Sequence, residues 1–118
     1  MRIRTRSKYG SKKTTVDGIK FDSKAEAEYY LGLKLLKRSG DVLDFEMQVE
    51  FVLIPAYVNA QGQKVRETKY RADFIVTYKD GHQEIIDVKG HKTPEYVLKK
   101  KLFEYQYRDK VIKEVNAS

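Results

Sequence analysis

Tyr70-Arg71-Ala72-Asp73-Phe74-Ile75-Val76-Thr77-Tyr78, then Lys79-Asp80-Gly81, then His82-Gln83-Glu84-Ile85-Ile86-Asp87-Val88-Lys89-Gly90-His91 is the stretch that decides the fold. Two β-rich runs flank a turn signal, which predicts a hairpin. A two-residue loop at Asp80-Gly81 would set Asp73 against Val88. A three-residue loop, with Gly81 left-handed as a bulge, pairs Tyr78 with His82 instead. Asp73 then lies opposite Asp87 and Ile75 opposite Ile85, while Phe74, Ile86, Ala72 and Val88 fill the other face. Gly81 stands where the bulged turn demands it, so this second register is the expected one.

The register matters because Asp73, Asp87 and Lys89 fall where a sheet core should be apolar. Buried charge is costly unless it is paired or holds a metal. Two carboxylates facing each other across a strand pair lie about 5 Å apart at Cβ. Left alone they repel and raise one another's pKa. A divalent cation between them removes that penalty, and hard oxygen ligands suit Mg²⁺, which takes one or two carboxylates, waters and substrate phosphate. Lys89 on the same face is placed to orient or deprotonate a water, or to steady transition-state charge. Together the three suit phosphodiester hydrolysis. The plainer alternative is an interior ion-pair network with Lys89 between two acids, an arrangement that rarely improves on apolar packing.

Asp73, a thirteen-residue spacer and Asp87-Val88-Lys89 together resemble the signature of the PD-(D/E)XK nuclease superfamily, with Ala72 where the named Pro would stand. From about Lys8 to Val115 the chain is similar to small bacteriophage proteins of that superfamily. Phe21-Asp22-Ser23-Lys24-Ala25-Glu26-Ala27-Glu28-Tyr29 and the run from Asp87 to Phe103 carry the similarity. The order of elements also looks like the nuclease half of a Tn7-type transposase and like archaeal Holliday-junction resolvases. The resemblance implies that Asp73, Asp87 and the Val88 carbonyl ligate Mg²⁺ or Mn²⁺, that Lys89 assists the water, and that Glu26 is a first-helix acid supporting the metal.

At 118 residues the chain holds one domain, expected over residues 15–118 behind a basic arm at 1–14. With no cysteine and two histidines, disulfides and a Cys/His zinc site are excluded. That composition suits a reducing cytoplasm, the host's if the chain is phage-encoded. No run approaches the ~18 apolar residues of a membrane span, and the N-terminus lacks the apolar core of a secretory signal. Net charge is +7, and Arg2, Arg4, Arg6, Lys8, Lys12, Lys13, Lys20 and Lys24 meet only Asp17 and Asp22 among the first 24 positions. A polyanion partner follows, with the arm adding salt-sensitive phosphate contacts through Lys8, Lys12 and Lys13. For Met1 to Arg6, a tail without a role is the equal alternative.

Thr15 to Phe21 reads as a short hairpin or tight turn at Asp17-Gly18. Ser23 then caps a helix running through Arg38 to a stop at Gly40, and Glu26 stands at the capping-box spacing. Glu26 also heads an apolar stripe of Tyr29, Tyr30, Leu33 and Leu36 that points to the sheet. Cap and metal support are competing roles for it. Glu28 is expected in solvent. Val42 to Phe45 forms a connector or the beginning of strand pairing, and Gln48 to Ile54 alternates as a strand ending at Pro55, with Gln48 or Glu50 near the site border and Glu50 more ordinarily in solvent. Residues 55–68 form a long exposed loop or hairpin tip whose Lys64 and Arg66 are candidates to grip DNA.

Thr93-Pro94 opens a second helix, expected to bury Leu98, Leu102 and Tyr105. Lys99, Lys100 and Lys101 flank it, either solvated or as a backbone-contact ridge, with His91 and Lys92 at its approach. Val111 to Val115 closes as a strand. The order α-β-β-β-α-β predicts an α/β restriction-endonuclease-like core, a mixed sheet flanked by helices. The function expected is a Mg²⁺-dependent, structure-selective DNA endonuclease, working as a homodimer or with a partner protein that supplies specificity. The rival is a basic nucleic-acid-binding protein without catalysis. A weaker third reading is a factor that obstructs a host nuclease.

Overall fold

The computed structural model describes residues 13–116. In order these form β1 (Thr14–Val16), β2 (Ile19–Phe21), α1 (Lys24–Ser39), β3 (Val42–Ile54), β4 (Tyr57–Val58), β5 (Lys64–Val65), β6 (Thr68–Tyr78), β7 (Gln83–Lys89), α2 (Pro94–Gln106) and β8 (Ile112–Asn116). Four strands make the main sheet in the order β3-β6-β7-β8. The first three are antiparallel neighbours, whereas β8 runs parallel to β7. The sheet is therefore mixed, with α1 packed on one face and α2 on the other. The fold is α/β. The expected hairpin at Asp17-Gly18 forms, and β4–β5 makes residues 55–68 a hairpin tip. Thr14 already belongs to β1, so the folded body begins one residue before the expected boundary. Lys8, Lys12 and the rest of the arm through residue 12 lie outside the described residues.

The central hairpin has the bulged register. Ile75 pairs with Ile85 and Phe74 with Ile86. Tyr78 N–H donates to the His82 carbonyl at 2.9 Å, Gly81 N–H donates to the Tyr78 carbonyl at 2.8 Å, and Gly81 has φ +93°. A Cβ at Gly81 would meet nothing within 4 Å, so Gly81→Ala strains only the backbone. Its expected cost in urea denaturation is about 1 kcal/mol. An alanine variant as stable as wild type would rule out this turn.

Local chemistry explains both helices. The Ser23 hydroxyl accepts from Glu26 N–H at 3.1 Å, and left-handed Gly40 ends α1 by donating to the Lys37 carbonyl. Thr93 Oγ1 accepts from Tyr96 N–H at 3.1 Å, with Pro94 following the cap. The buried faces differ from the periodicity in two places. On α1 the stripe is Glu26, Ala27, Tyr30 and Leu33, and Leu36 is exposed. On α2, Leu98 and Tyr105 are 56% and 66% exposed, whereas Tyr96 and Phe103 are buried. Apolar residues surround α2 on several sides, so spacing alone does not select a face. The Phe103 ring decides it by packing edge-on to Phe51 and Tyr70, at 5.2 and 5.5 Å between centroids.

One irregularity positions the site. Gln48 has φ +56° in the middle of β3, between the pairs Met47–Phe74 and Val49–Ala72. A left-handed non-glycine residue within a strand is strained by about 1–3 kcal/mol. The sheet changes face at this point. Phe74 packs in the α1-side core but Ala72 in the α2-side core, although alternation would put both on one face. Asp73, opposite Gln48, stands at this change of face.

Candidate active site

Beyond the Phe74–Ile86 pair the central hairpin forks. β6 continues to Thr68 against β3, and β7 continues to Lys89 against β8. The Val88 N–H, which a continued ladder would give to the Ala72 carbonyl, donates instead to Asp73 Oδ2 at 2.8 Å. A carboxylate thus replaces a backbone acceptor at the crotch of the fork. Asp87, 3% exposed, is held at both oxygens: Tyr70 donates its hydroxyl to Oδ2 at 2.6 Å and Lys89 Nζ lies 3.2 Å from Oδ1. Asp73 Oδ1 makes no hydrogen bond to a described residue.

Glu26 reaches the same place from the first turn of α1. It is 4% exposed, and Gln48 Nε2 donates to its Oε2 at 2.9 Å. The capping box is therefore half made: Ser23 serves the Glu26 backbone, while the Glu26 carboxylate is turned toward the sheet. Burial, followed by the charges of Asp87 and Glu26, pushes the Asp73 carboxyl up from 3.8 to about 7. The Val88 N–H and Lys89 oppose that rise. Burial and the charge of Asp22, with a smaller contribution from Asp87, push the Glu26 carboxyl up as well, against backbone hydrogen bonding at Asp22 and the Gln48 amide. The charges of Asp73, Asp87 and Glu26 oppose one another in this corner, an opposition that a cation or a shared proton would relieve.

Asp73, Asp87, Lys89, Glu26, Gln48 and the Val88 main chain border one cleft of about 840 Å³. His91 and Lys99 line it too, and Lys99 pairs with Glu95 at 3.3 Å. Other basic positions are employed elsewhere. Lys92 and Lys100 both bind Glu114, at 2.8 and 3.0 Å, and Lys13 pairs with Asp22 at 3.1 Å. Lys64 and Arg66 are exposed on the β4–β5 hairpin or just past it, away from the cleft lining. Glu50 is exposed and pairs with Lys69 at 3.0 Å, so it is a solvent residue rather than a site border.

Five contributors carry no sequence signal. Tyr70 holds Asp87. The Tyr96 ring lies under Lys89 Nζ, 3.9 Å from its centroid. Glu114 accepts the Tyr96 hydroxyl at 2.7 Å. Arg71 and Lys24 bring further positive charge to the cleft from β6 and α1. No local motif marks any of the tyrosines, and Glu114 is found only once β8 is known to lie parallel to β7, where it pairs with Asp87.

The chain belongs to the family described as Protein of unknown function (DUF1064), whose model matches residues 6–117. No curated protein and no solved structure matches it. Among the described residues no helix is long and apolar enough to cross a membrane.

Proposed function

We propose that the protein is a Mg²⁺- or Mn²⁺-dependent DNA endonuclease of the PD-(D/E)XK type, acting on branched or junction DNA in phage DNA processing in the host cytoplasm. The observation that carries the reading is the convergence of Asp73, Asp87 and Lys89 where β6 and β7 part, with Glu26 brought in from α1. The sequence α1-β3-β6-β7-α2-β8 through one mixed sheet supports a restriction-endonuclease-like core.

The residues fit a hard divalent ion. Asp73 presents an oxygen without a hydrogen bond to a described residue, and the mutual repulsion of the carboxylates is what a cation relieves. Among the described residues no three Asp, Glu or His side chains stand together in metal-holding geometry, so the ion is assigned to Asp73 and Asp87 with the Val88 carbonyl, and Glu26 to outer support. When bound, such an ion supplies positive charge for the phosphate and polarises water. Lys89 would orient the attacking water or steady charge on the phosphate as its P–O bond breaks. Tyr70 fixes the Asp87 carboxylate, and Gln48 fixes that of Glu26. A homodimer would place two such sites for cutting both strands.

The Lys89–Asp87 ion pair favours a second reading, a basic nucleic-acid-binding protein in which these charges only satisfy one another. Incubating supercoiled, linear and branched DNA with Mg²⁺, Mn²⁺ or EDTA separates the two. Metal-dependent cleavage, strongest on branched DNA, is expected. Binding to all three without cleavage of any supports the rival. In either case Arg71→Ala should weaken DNA binding evenly across sequences and lower the slope of log affinity against log salt by about 1, as loss of one phosphate contact does. An unchanged slope in a filter-binding titration would remove Arg71 from the interface.

A further inference from the structure

We propose that Tyr96 is the positioning residue for Lys89: its ring face seats the ammonium, and Glu114 on β8 fixes the ring through its hydroxyl. The proposal rests on the nuclease reading for the purpose of the seat, though not for its existence.

Lysine carries its charge on a flexible four-carbon stem, so its direction must be imposed by neighbours. Two neighbours impose it here. Lys89 Nζ lies 3.2 Å from Asp87 Oδ1 and 3.9 Å from the Tyr96 ring centroid. The aromatic face attracts a cation through its quadrupole but offers no lone pair, so it holds the ammonium without consuming a directional N–H. Protons remain for a water or a phosphate oxygen.

Tyr96 is itself fixed at both ends. Its backbone N–H is bound by Thr93 Oγ1 in the cap of α2, and its hydroxyl donates to Glu114 Oε2 at 2.7 Å. Glu114 is held in turn by Lys92 and Lys100. It is also the parallel-strand partner of Asp87, so anchor and acid stand side by side on adjoining strands. Lys92 and Lys100 thereby acquire a role besides DNA contact: they hold the acid that holds the ring. A tyrosine needed only to fill the core would require neither the hydroxyl partner nor the cation over its face.

The test follows the ε-methylene signals of the full-length protein labelled with ¹³C-lysine, with Lys89 assigned through Lys89→Arg. Ring current should place the Lys89 signal upfield of the exposed lysines. Tyr96→Leu should return it to their position, and Tyr96→Phe, which keeps the face but loses the hydroxyl that Glu114 holds, should leave it displaced by less than in wild type. On branched DNA with Mg²⁺, Tyr96→Leu should lower kcat about tenfold with little change in KM, while Tyr96→Phe stays within about threefold, because a phenyl face still attracts a cation. If Tyr96→Leu fails to fold by circular dichroism, Glu114→Ala takes its place. That variant should reduce the upfield displacement and kcat together. A wild-type Lys89 signal among the exposed lysines overturns the seat, as does a folded Tyr96→Leu with wild-type kcat. An upfield signal in a wild-type protein that cleaves no DNA overturns the catalytic purpose and the nuclease reading, while the seat itself stands.

Discussion

Asp87→Asn should lower Mg²⁺-dependent cleavage by about three orders of magnitude or more, the scale on which loss of a group acting in the transition state is felt. The amide keeps the shape, and its oxygen can still accept the Tyr70 hydroxyl, so Asp87 is removed as an anion without emptying its place. Lys89→Ala should cost about 10²–10³, within the range of a positioned proton-transfer or charge-steadying group. Glu26→Gln should cost about 10–100-fold, as outer-shell partners of metal sites do. The ranking distinguishes catalysis from folding. Glu26 and Asp87 are almost equally buried, so a purely structural role would give Asp87→Asn and Glu26→Gln similar effects. DNA affinity should hold or rise in both, since each removes a negative charge from the cleft. Equal residual activity in the two variants would sink the assignment.

The second large effect is on stability, and its sign is opposite to the usual one for removing a buried charged side chain. The Asp73 carboxyl is pushed up from 3.8 to about 7 by burial and by the neighbouring acids. A carboxyl with a raised folded-state pKa binds its proton more tightly folded than unfolded, so stability falls as pH rises from about 4 to about 7 and stays reduced above that. At about 1.4 kcal/mol per pKa unit the penalty reaches roughly 4 kcal/mol as an upper bound. Asp73→Asn abolishes it while leaving an oxygen for the Val88 N–H. The metal-free variant should therefore melt about 5 °C or more above wild type at pH 8, with the gap closing towards pH 4. Mg²⁺ should raise the melting temperature of wild type at pH 8 and leave Asp73→Asn unmoved. A variant that melts below wild type at pH 8 would show that the three carboxylates do not repel as their placement requires.

The same corner shows why one part of the site was readable in advance and another was not. The register that carries Asp73 and Asp87 to the point where the strands part, one step beyond the Phe74–Ile86 pair, depends on the number of residues between them and on the turn that Gly81 permits, both local matters. Spacing alone fits Glu26 to the cap and to catalysis equally. The structure gives Ser23 the cap and sends the carboxylate to Gln48. Alternation puts Ala72 beside Phe74, yet the two pack in opposite cores, because alternation assumes a regular sheet and β6 pairs here with β3 on either side of its left-handed Gln48. Helical spacing alone puts Leu98 and Tyr105 inside, but Phe103 packs against Phe51 and Tyr70 and turns them outward.

By itself, then, the sequence determined what short-range chemistry governs: the bulged hairpin, the caps at Ser23 and Thr93, the α-β-β-β-α-β order of the main sheet and its two helices, and the basic balance of the chain. The tertiary structure alone decided which face of α2 is buried, where the sheet changes face, and that Tyr70, Tyr96 and Glu114 hold the charged residues in place. The physical reason is range. Turns and caps are settled by residues a few positions apart, whereas packing and ion placement depend on strands that meet only after the chain has closed on itself, as β8 does beside β7.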